Sequence, residues 1–233
     1  LVRVDKRPIH GEWPVAQIFP QSINYFARLT IIGAAFGSVL LTWLCLLYTR
    51  SSYGTNAGVA REQPVPFSHQ HHVGVLEIDC RYCHTTVEHS SYAGMPATKT
   101  CMNCHSQIWI GSQMLQPVRD SYRDNVPLRW DRVYNLPGFV YFDHSIHVQK
   151  GIGCSSCHGR IDEMPFTYQV PSLLMDWCLD CHRNPEREIR PREEVFNIRY
   201  EKPANQESLG RQLSSEYHVK DAEQITSCSV CHR

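Results

Sequence analysis

Ten of the eleven cysteines fall into five copies of one pattern. They are Cys80-Arg-Tyr-Cys83-His84, Cys101-Met-Asn-Cys104-His105, Cys154-Ser-Ser-Cys157-His158, Cys178-Leu-Asp-Cys181-His182 and Cys228-Ser-Val-Cys231-His232. Cys-x-x-Cys-His is the signature of covalent haem attachment. Two thiols three residues apart can bond the two vinyl groups on one porphyrin edge. The next side chain is then an imidazole over the ring face, and haem iron accepts such a nitrogen as its proximal ligand. Two other chemistries use paired cysteines. Zinc sites use Cys-x-x-Cys units, and disulfides abound in exported chains. Neither gives a reason for a histidine after every second cysteine. The expected cofactor set is therefore five covalent haems c, with His84, His105, His158, His182 and His232 as proximal ligands.

Eight histidines lie outside these units, and four of them reveal an internal repeat. Phe67-Ser-His69-Gln-His-His72-Val73 precedes Cys80 and then Cys101. Phe142-Asp-His144-Ser-Ile-His147-Val148 precedes Cys154 and then Cys178. His69 and His144 are the candidate distal ligands of the haems at Cys80 and Cys154. His72 and His147 are candidates for other irons. For the fifth haem, Met175 is preferred, then Met164, then His218, since a thioether also ligates haem iron; a lone methionine equally fills core gaps. His71 and His89 read as exposed or hydrogen-bonded, and His10 as unconnected with haem. Arg81, Arg160, Arg183, Arg187 and Arg233 flank the units. They can pair with haem propionates or remain solvated.

The elements that position these groups are of two kinds. From Leu29 to Tyr48 there is no charged residue, which is about the 20 residues needed to cross a bilayer. Arg28 and Arg50 bracket the run, and Tyr25, Trp43 and Tyr48 sit where interfaces would fall. The apolar run is longer than the core of a cleaved signal peptide, which is the competing reading. Gly33 and Gly37 form a Gly-x-x-x-Gly pair, which lets two helices approach and is equally consistent with chance. Cys45 reads as a buried apolar residue. Arg3, Lys6, Arg7 and Arg28 outweigh Asp5 and Glu12, so the N-terminus is expected to stay in the cytoplasm. The chain opens with Leu1, and a short stretch is expected upstream.

The expected organisation is a cytoplasmic segment over 1–24, a transmembrane helix over 25–50, a linker over 51–66 and an exported haem domain over 67–233. The fold class is a mostly irregular and helical multihaem cytochrome c domain wrapped around five haems, with one N-terminal transmembrane helix. Short helices are expected to carry the haem units between long loops, because so many macrocycles replace much of the side-chain core. Formal net charge is zero, so there is no basic footprint for nucleic acid.

Between the haem units the chain resembles a particular family. The stretches are Ala93-Gly-Met-Pro96, Thr100 to Trp109, Leu128-Arg-Trp-Asp-Arg-Val133, Phe139 to Val148 and Trp177-Cys-Leu-Asp-Cys-His-Arg-Asn-Pro185. Together with the single anchor and five units, they resemble the pentahaem cytochrome c subunit of bacterial alternative complex III, a quinol:electron-acceptor oxidoreductase. The resemblance implies an iron–sulfur subunit, polytopic quinol-binding membrane subunits and a monohaem cytochrome c as partners. It implies an inner-membrane location with the haem domain on the periplasmic side, and a periplasmic acceptor. On this reading the chain is an electron relay that makes no substrate bond by itself. The competing readings are a multihaem reductase with an open iron, for example of nitrite or hydroxylamine, and a stand-alone membrane quinol dehydrogenase.

Overall fold

The computed structural model describes residues 19–232. His10 and the charges of the expected cytoplasmic segment lie outside the described residues, as does Arg233. The chain divides into two compact units between Tyr48 and Thr49.

The described part of the first unit is helix α1, Ser22–Arg50. It begins three residues before the expected Tyr25. Pro20, which cannot continue a helix backwards, offers its carbonyl to the Ile23 amide at 3.0 Å. No side chain of α1 is buried. Its few hydroxyls turn back onto the backbone. Thr30 Oγ1 donates to the Ala27 carbonyl, Ser38 Oγ to Ala35 and Thr42 Oγ1 to Ser38, at 2.8–2.9 Å. A helix whose uncharged stretch from Leu29 to Tyr48 turns its hydroxyls onto its own backbone is suited to lipid. By length and composition α1 can cross a membrane.

The second unit has no strand among the described residues, only isolated bridge pairs. Its helices are short: α2 Ser52–Thr55, α3 Cys80–Cys83, α4 Thr98–His105, α5 Gln116–Asp124, α6 His144–Gln149, α7 Cys154–His158, α8 Met175–Arg183, α9 Gln206–Glu216, α10 Ala222–Ile225 and α11 Cys228–Cys231. A wide turn over Gln70–Val75 precedes α3. The expected linker over 51–66 is bound into this unit. Ser51 caps α2, Gln169 Nε2 donates to the Thr55 carbonyl at 3.1 Å, the Gly58 amide donates to the Gln169 carbonyl at 2.7 Å, and Val65 is buried. The segment's apolar and backbone groups find long-range partners.

Side chains alone bury two small clusters. Val65, Leu115 and Val118 gather beside Cys101, Met102, Leu128 and Trp130. Ile189, Leu213 and Tyr217 gather beside Ile152, Leu209 and Val219. The second forms where α9 lies close against the turn Pro185–Arg187. A Cβ at Gly210 would run into the Glu186 carbonyl. Only ten hydrophobic side chains are buried among the described residues. That is too little apolar burial to hold a unit of this length together. Its large apolar residues instead face spaces the polypeptide leaves uncovered, as expected of a chain whose core is completed by another apolar group.

Candidate functional site

Each cysteine pair occupies one helical turn, on α3, α4, α7, α8 or α11. Residues three apart share a helix face, so both thiols of a pair point the same way. Local chemistry starts the first of these turns and the histidine-bearing α6. The Asp79 carboxylate accepts from the Arg81 amide at 2.8 Å and caps α3. The Asp143 carboxylate caps α6, accepting from the Ser145 amide at 2.8 Å. Among the described residues no cysteine is in a disulfide, and no group of three or more His, Cys, Asp and Glu has the spacing of a metal cage. Burial raises the Cys83, Cys101 and Cys178 thiols, pushing Cys181 up to about 11 and Cys157 up to about 12.

The histidines are held in one characteristic manner. A backbone carbonyl accepts from Nδ1–H in seven rings. The pairs are His72 to Ser68 at 2.8 Å, His84 to Gly94 at 2.7 Å, His105 to Ile108 at 3.4 Å, His144 to Ser91 at 2.8 Å, His147 to Asp143 at 2.7 Å, His182 to Ile225 at 2.9 Å and His232 to Phe139 at 3.4 Å. In an eighth, His69 Nδ1 meets Thr167 Oγ1 at 2.8 Å. A carbonyl can only accept, so it fixes the proton on Nδ1 and leaves Nε2 as a free lone pair. This is how metal-binding imidazoles are normally oriented. His158 is partly buried and packs its ring 4.3 Å from Tyr134. Burial lowers the His69 and His158 pKa values to about 4, and also lowers those of His72 and His147. Each is therefore held in the neutral form that ligates metal. The rings of His71, His89 and His218 make no such hydrogen bond among the described residues, and all three are exposed.

The sequence repeat is also a geometric one. Phe67 stacks on His72 at 4.4 Å and meets His69 edge-on at 4.9 Å. Phe142 stacks on His147 at 4.6 Å and meets His144 edge-on at 4.7 Å. In both copies the second histidine bonds the carbonyl four residues earlier. The two phenylalanines act as clamps for paired imidazoles. Their place in the repeat was legible in the sequence, but their role was not.

The structure also brings histidines from distant segments close together, one pair edge-on and one tilted. The rings of His72 and His105 are 6.3 Å apart, and those of His147 and His182 are 6.2 Å apart. Two imidazoles on opposite sides of one metal, each with a metal–nitrogen bond of about 2.0–2.1 Å, place their ring centres about 6.3 Å apart. The donor set thus fits six-coordinate haem iron. The charge of neighbouring imidazoles is felt at His69 from His84 and His72, and at His158 from His144, His84 and His69. Among the candidates for the fifth iron, Met175 is 65% exposed at the start of α8, whereas Met164 is 3% exposed among protein atoms. His218 donates nothing from its ring, and its carbonyl accepts from Lys150 Nζ at 3.2 Å.

The flanking arginines are mostly engaged with carboxylates of the chain. Arg81 pairs with Asp79, Arg160 with Asp162 and Glu163, each at 2.8 Å, and Arg187 with Glu207 at 4.0 Å. Sequence reasoning missed Arg119. It lies on α5, packed against the Cys101 helix, and its Nη1 is buried without a partner, so it is suited to meet an anionic group there.

Short helices carrying thiol pairs, imidazoles held by Nδ1 and a unit almost without side-chain core define a multihaem c-type cytochrome, an electron-transport protein with covalently bound haem c. The similarity to known proteins agrees. Residues 146–233 match the cytochrome c3 family. A stretch of 100 residues is 34% identical to the multihaem cytochrome c subunit of menaquinone reductase from Nitratidesulfovibrio vulgaris, covering 42% of this chain and 46% of that protein. The match therefore spans about half the length of that relative.

Proposed function

We propose that this chain is the electron-relay subunit of a membrane quinone-linked oxidoreductase. It holds five haems c on the periplasmic side of the inner membrane and is anchored by α1. The observation that carries this reading is the two imidazole pairs, His72 with His105 and His147 with His182, whose ring centres lie 6.3 and 6.2 Å apart. They are the spacing of a capped, six-coordinate iron, which exchanges electrons but binds no substrate. When bound, haem c supplies a one-electron iron couple. The chain's own residues attach it, cap it and, by burial, favour the neutral form of His69, His72, His147 and His158.

The ligand sets follow from proximity. His84 with His69 would serve the haem on Cys80 and Cys83. His105 with His72 would serve that on Cys101 and Cys104, and His158 with His144 that on Cys154 and Cys157. His182 with His147 would serve that on Cys178 and Cys181. His232 would serve the haem on Cys228 and Cys231, with Met175 as its cap. Met175 lies three residues before Cys178 on α8, so it shares the face whose thiol lies near Cys231. The exposure of its thioether favours it over Met164.

The resemblance to the alternative complex III subunit favours electrons arriving from quinol. The partners would be an iron–sulfur subunit, polytopic quinol-binding subunits and a monohaem cytochrome c, with a periplasmic acceptor beyond. The name of the Nitratidesulfovibrio relative favours a second reading, in which electrons pass through the chain towards menaquinone. The detergent-extracted complex separates the two. Menaquinol reduces the haems in the first reading. In the second, a reduced periplasmic cytochrome does so and menaquinol does not.

A pyridine haemochrome assay should count five haems c per chain. Electron paramagnetic resonance of the oxidised protein should show low-spin ferric haem alone. A high-spin signal of one haem equivalent would favour a reductase with an open iron. The isolated subunit should not oxidise menaquinol, and rapid haem reduction by quinol without other subunits would make it a dehydrogenase in its own right.

A further inference from the structure

Resting on the pentahaem reading, we infer that the haems form one unbranched array whose spatial order departs from their order in the chain. Named by first cysteine, the order is Cys101, Cys80, Cys154, Cys178, Cys228. The haems on Cys101 and Cys228 are the two ends, where electrons enter and leave.

Each link stands on contacts of the attachment units with one another or with the chain beside the next unit. Asn103, inside the Cys101 unit, donates from Nδ2 to the hydroxyl of Tyr82, inside the Cys80 unit, at 2.9 Å. The Cys80 and Cys154 thiols lie close enough to influence one another. The same junction is held by Arg81, whose guanidinium lies 4.4 Å over the Phe196 ring, while the Cys154 amide donates to the Val195 carbonyl at 3.0 Å. The chain leaving α8 folds back on the Cys154 unit. There the buried Arg190 donates to Ser155 Oγ at 3.1 Å and to Ser156 Oγ at 3.2 Å. Finally, His182 of the Cys178 unit donates to the Ile225 carbonyl at 2.9 Å, and α10, which leads into α11, packs on α8. Among the described residues no hydrogen bond, ion pair or ring contact joins the Cys101 unit to the Cys154, Cys178 or Cys228 units. None joins the Cys228 unit to the Cys80 or Cys101 units.

The repeat explains the order. Each copy supplies two units in tandem, Cys80 with Cys101 and Cys154 with Cys178. The copies meet through equivalent residues, the leading cysteines Cys80 and Cys154. Equivalent surfaces meeting each other make a head-to-head, two-fold-like junction. The trailing units are thereby driven outwards to opposite sides, and the fifth unit extends only the second copy. Exposure of the attachment thiols agrees. Cys104 and Cys228 are exposed and the other eight are partly buried. The two exposed thiols therefore belong to the end units.

Iron positions in the detergent-extracted, haem-loaded complex test this directly, by single-particle structure determination. The expected nearest iron to that on Cys101 is the one on Cys80, and the central pair is Cys80 with Cys154. Array order 101–154, a direct 101–228 neighbour or a branch would overturn the inference. Fewer than five irons would instead overturn the pentahaem reading. In solution, changing an axial histidine to methionine raises the potential of one haem. His72→Met, at an end, should shift the midpoint of one other haem. His144→Met, in the interior, should shift two. Equal numbers of shifted neighbours in the two variants would overturn the order.

Discussion

Phe142 carries two imidazoles on one ring, stacking on His147 and meeting His144 edge-on. Aromatic pairs of this kind contribute about 0.5–1.5 kcal/mol each beyond burial. Phe142→Ala is therefore expected to cost about 1–3 kcal/mol and to broaden the low-spin signals of two haems while the haem count is kept. Thermal unfolding followed at the Soret band, together with paramagnetic resonance, checks both. Asp162 makes a different kind of contribution. Its carboxylate accepts from Arg160 at 2.8 Å and Arg199 at 3.0 Å, and Arg199 also donates to the Gly74 carbonyl at 3.0 Å. The network ties the His72-bearing turn to distant chain. Hydrogen bonds from Arg160 and then Arg199 hold the Asp162 pKa below its ordinary value. The depressed carboxylate stabilises the fold above the unfolded value near 3.8 and loses that contribution as pH falls further. Asp162→Asn should cost about 2 kcal/mol at neutral pH, discounted because both guanidinium groups are half exposed. It should flatten the acid limb of a stability profile below that pH, and an unchanged acid limb would remove Asp162 from the account.

Among the elements, the closest approach is that of α9 to the turn Pro185–Arg187. Gly210 permits it, since any side chain there would meet the Glu186 carbonyl, which also accepts from Gln206 Nε2 at 2.9 Å. Backbone gives less readily than a flexible side chain, so Gly210→Ala is expected to destabilise by about 1–3 kcal/mol. The displaced turn lies on the path from α8 to Arg190. The variant should therefore perturb the haem spectrum near the Cys154 unit, not near Cys101. A midpoint titration that moved only the Cys101 haem would contradict this coupling. The short cysteine-bearing helices pose the opposite problem. A four-residue helix has too few hydrogen bonds to persist alone. Among the cysteine-bearing helices only α3 has a side-chain cap, Asp79, so the group that the thiols attach is expected to hold the others.

At the scale of the whole chain, two units meet at Tyr48 and Thr49. The first offers an apolar helix with no buried side chain. The second contains all ten attachment cysteines. A chain beginning at Ser51 is expected to stay in solution without detergent and to carry the same haem count as the full chain. Phase partitioning and a haemochrome assay measure this. Haem loss on truncation would mean that the anchor contributes to the fold of the haem unit.

What the sequence by itself determined is what is local. A thiol pair and its imidazole span five residues, so attachment chemistry is legible wherever the spacing occurs. A run of apolar residues announces α1 because each side chain there faces the same solvent. The Phe-x-His-x-x-His repeat was likewise legible, since its second histidine bonds a carbonyl only four residues back. The tertiary structure alone decided what depends on long-range packing. It bound the supposed linker over 51–66 to Gln169, set His72 opposite His105, and joined the repeat copies through Cys80 and Cys154. Spacing constrains only neighbours along the chain, whereas which distant units meet is set by the free energy of packing the whole unit around its small core.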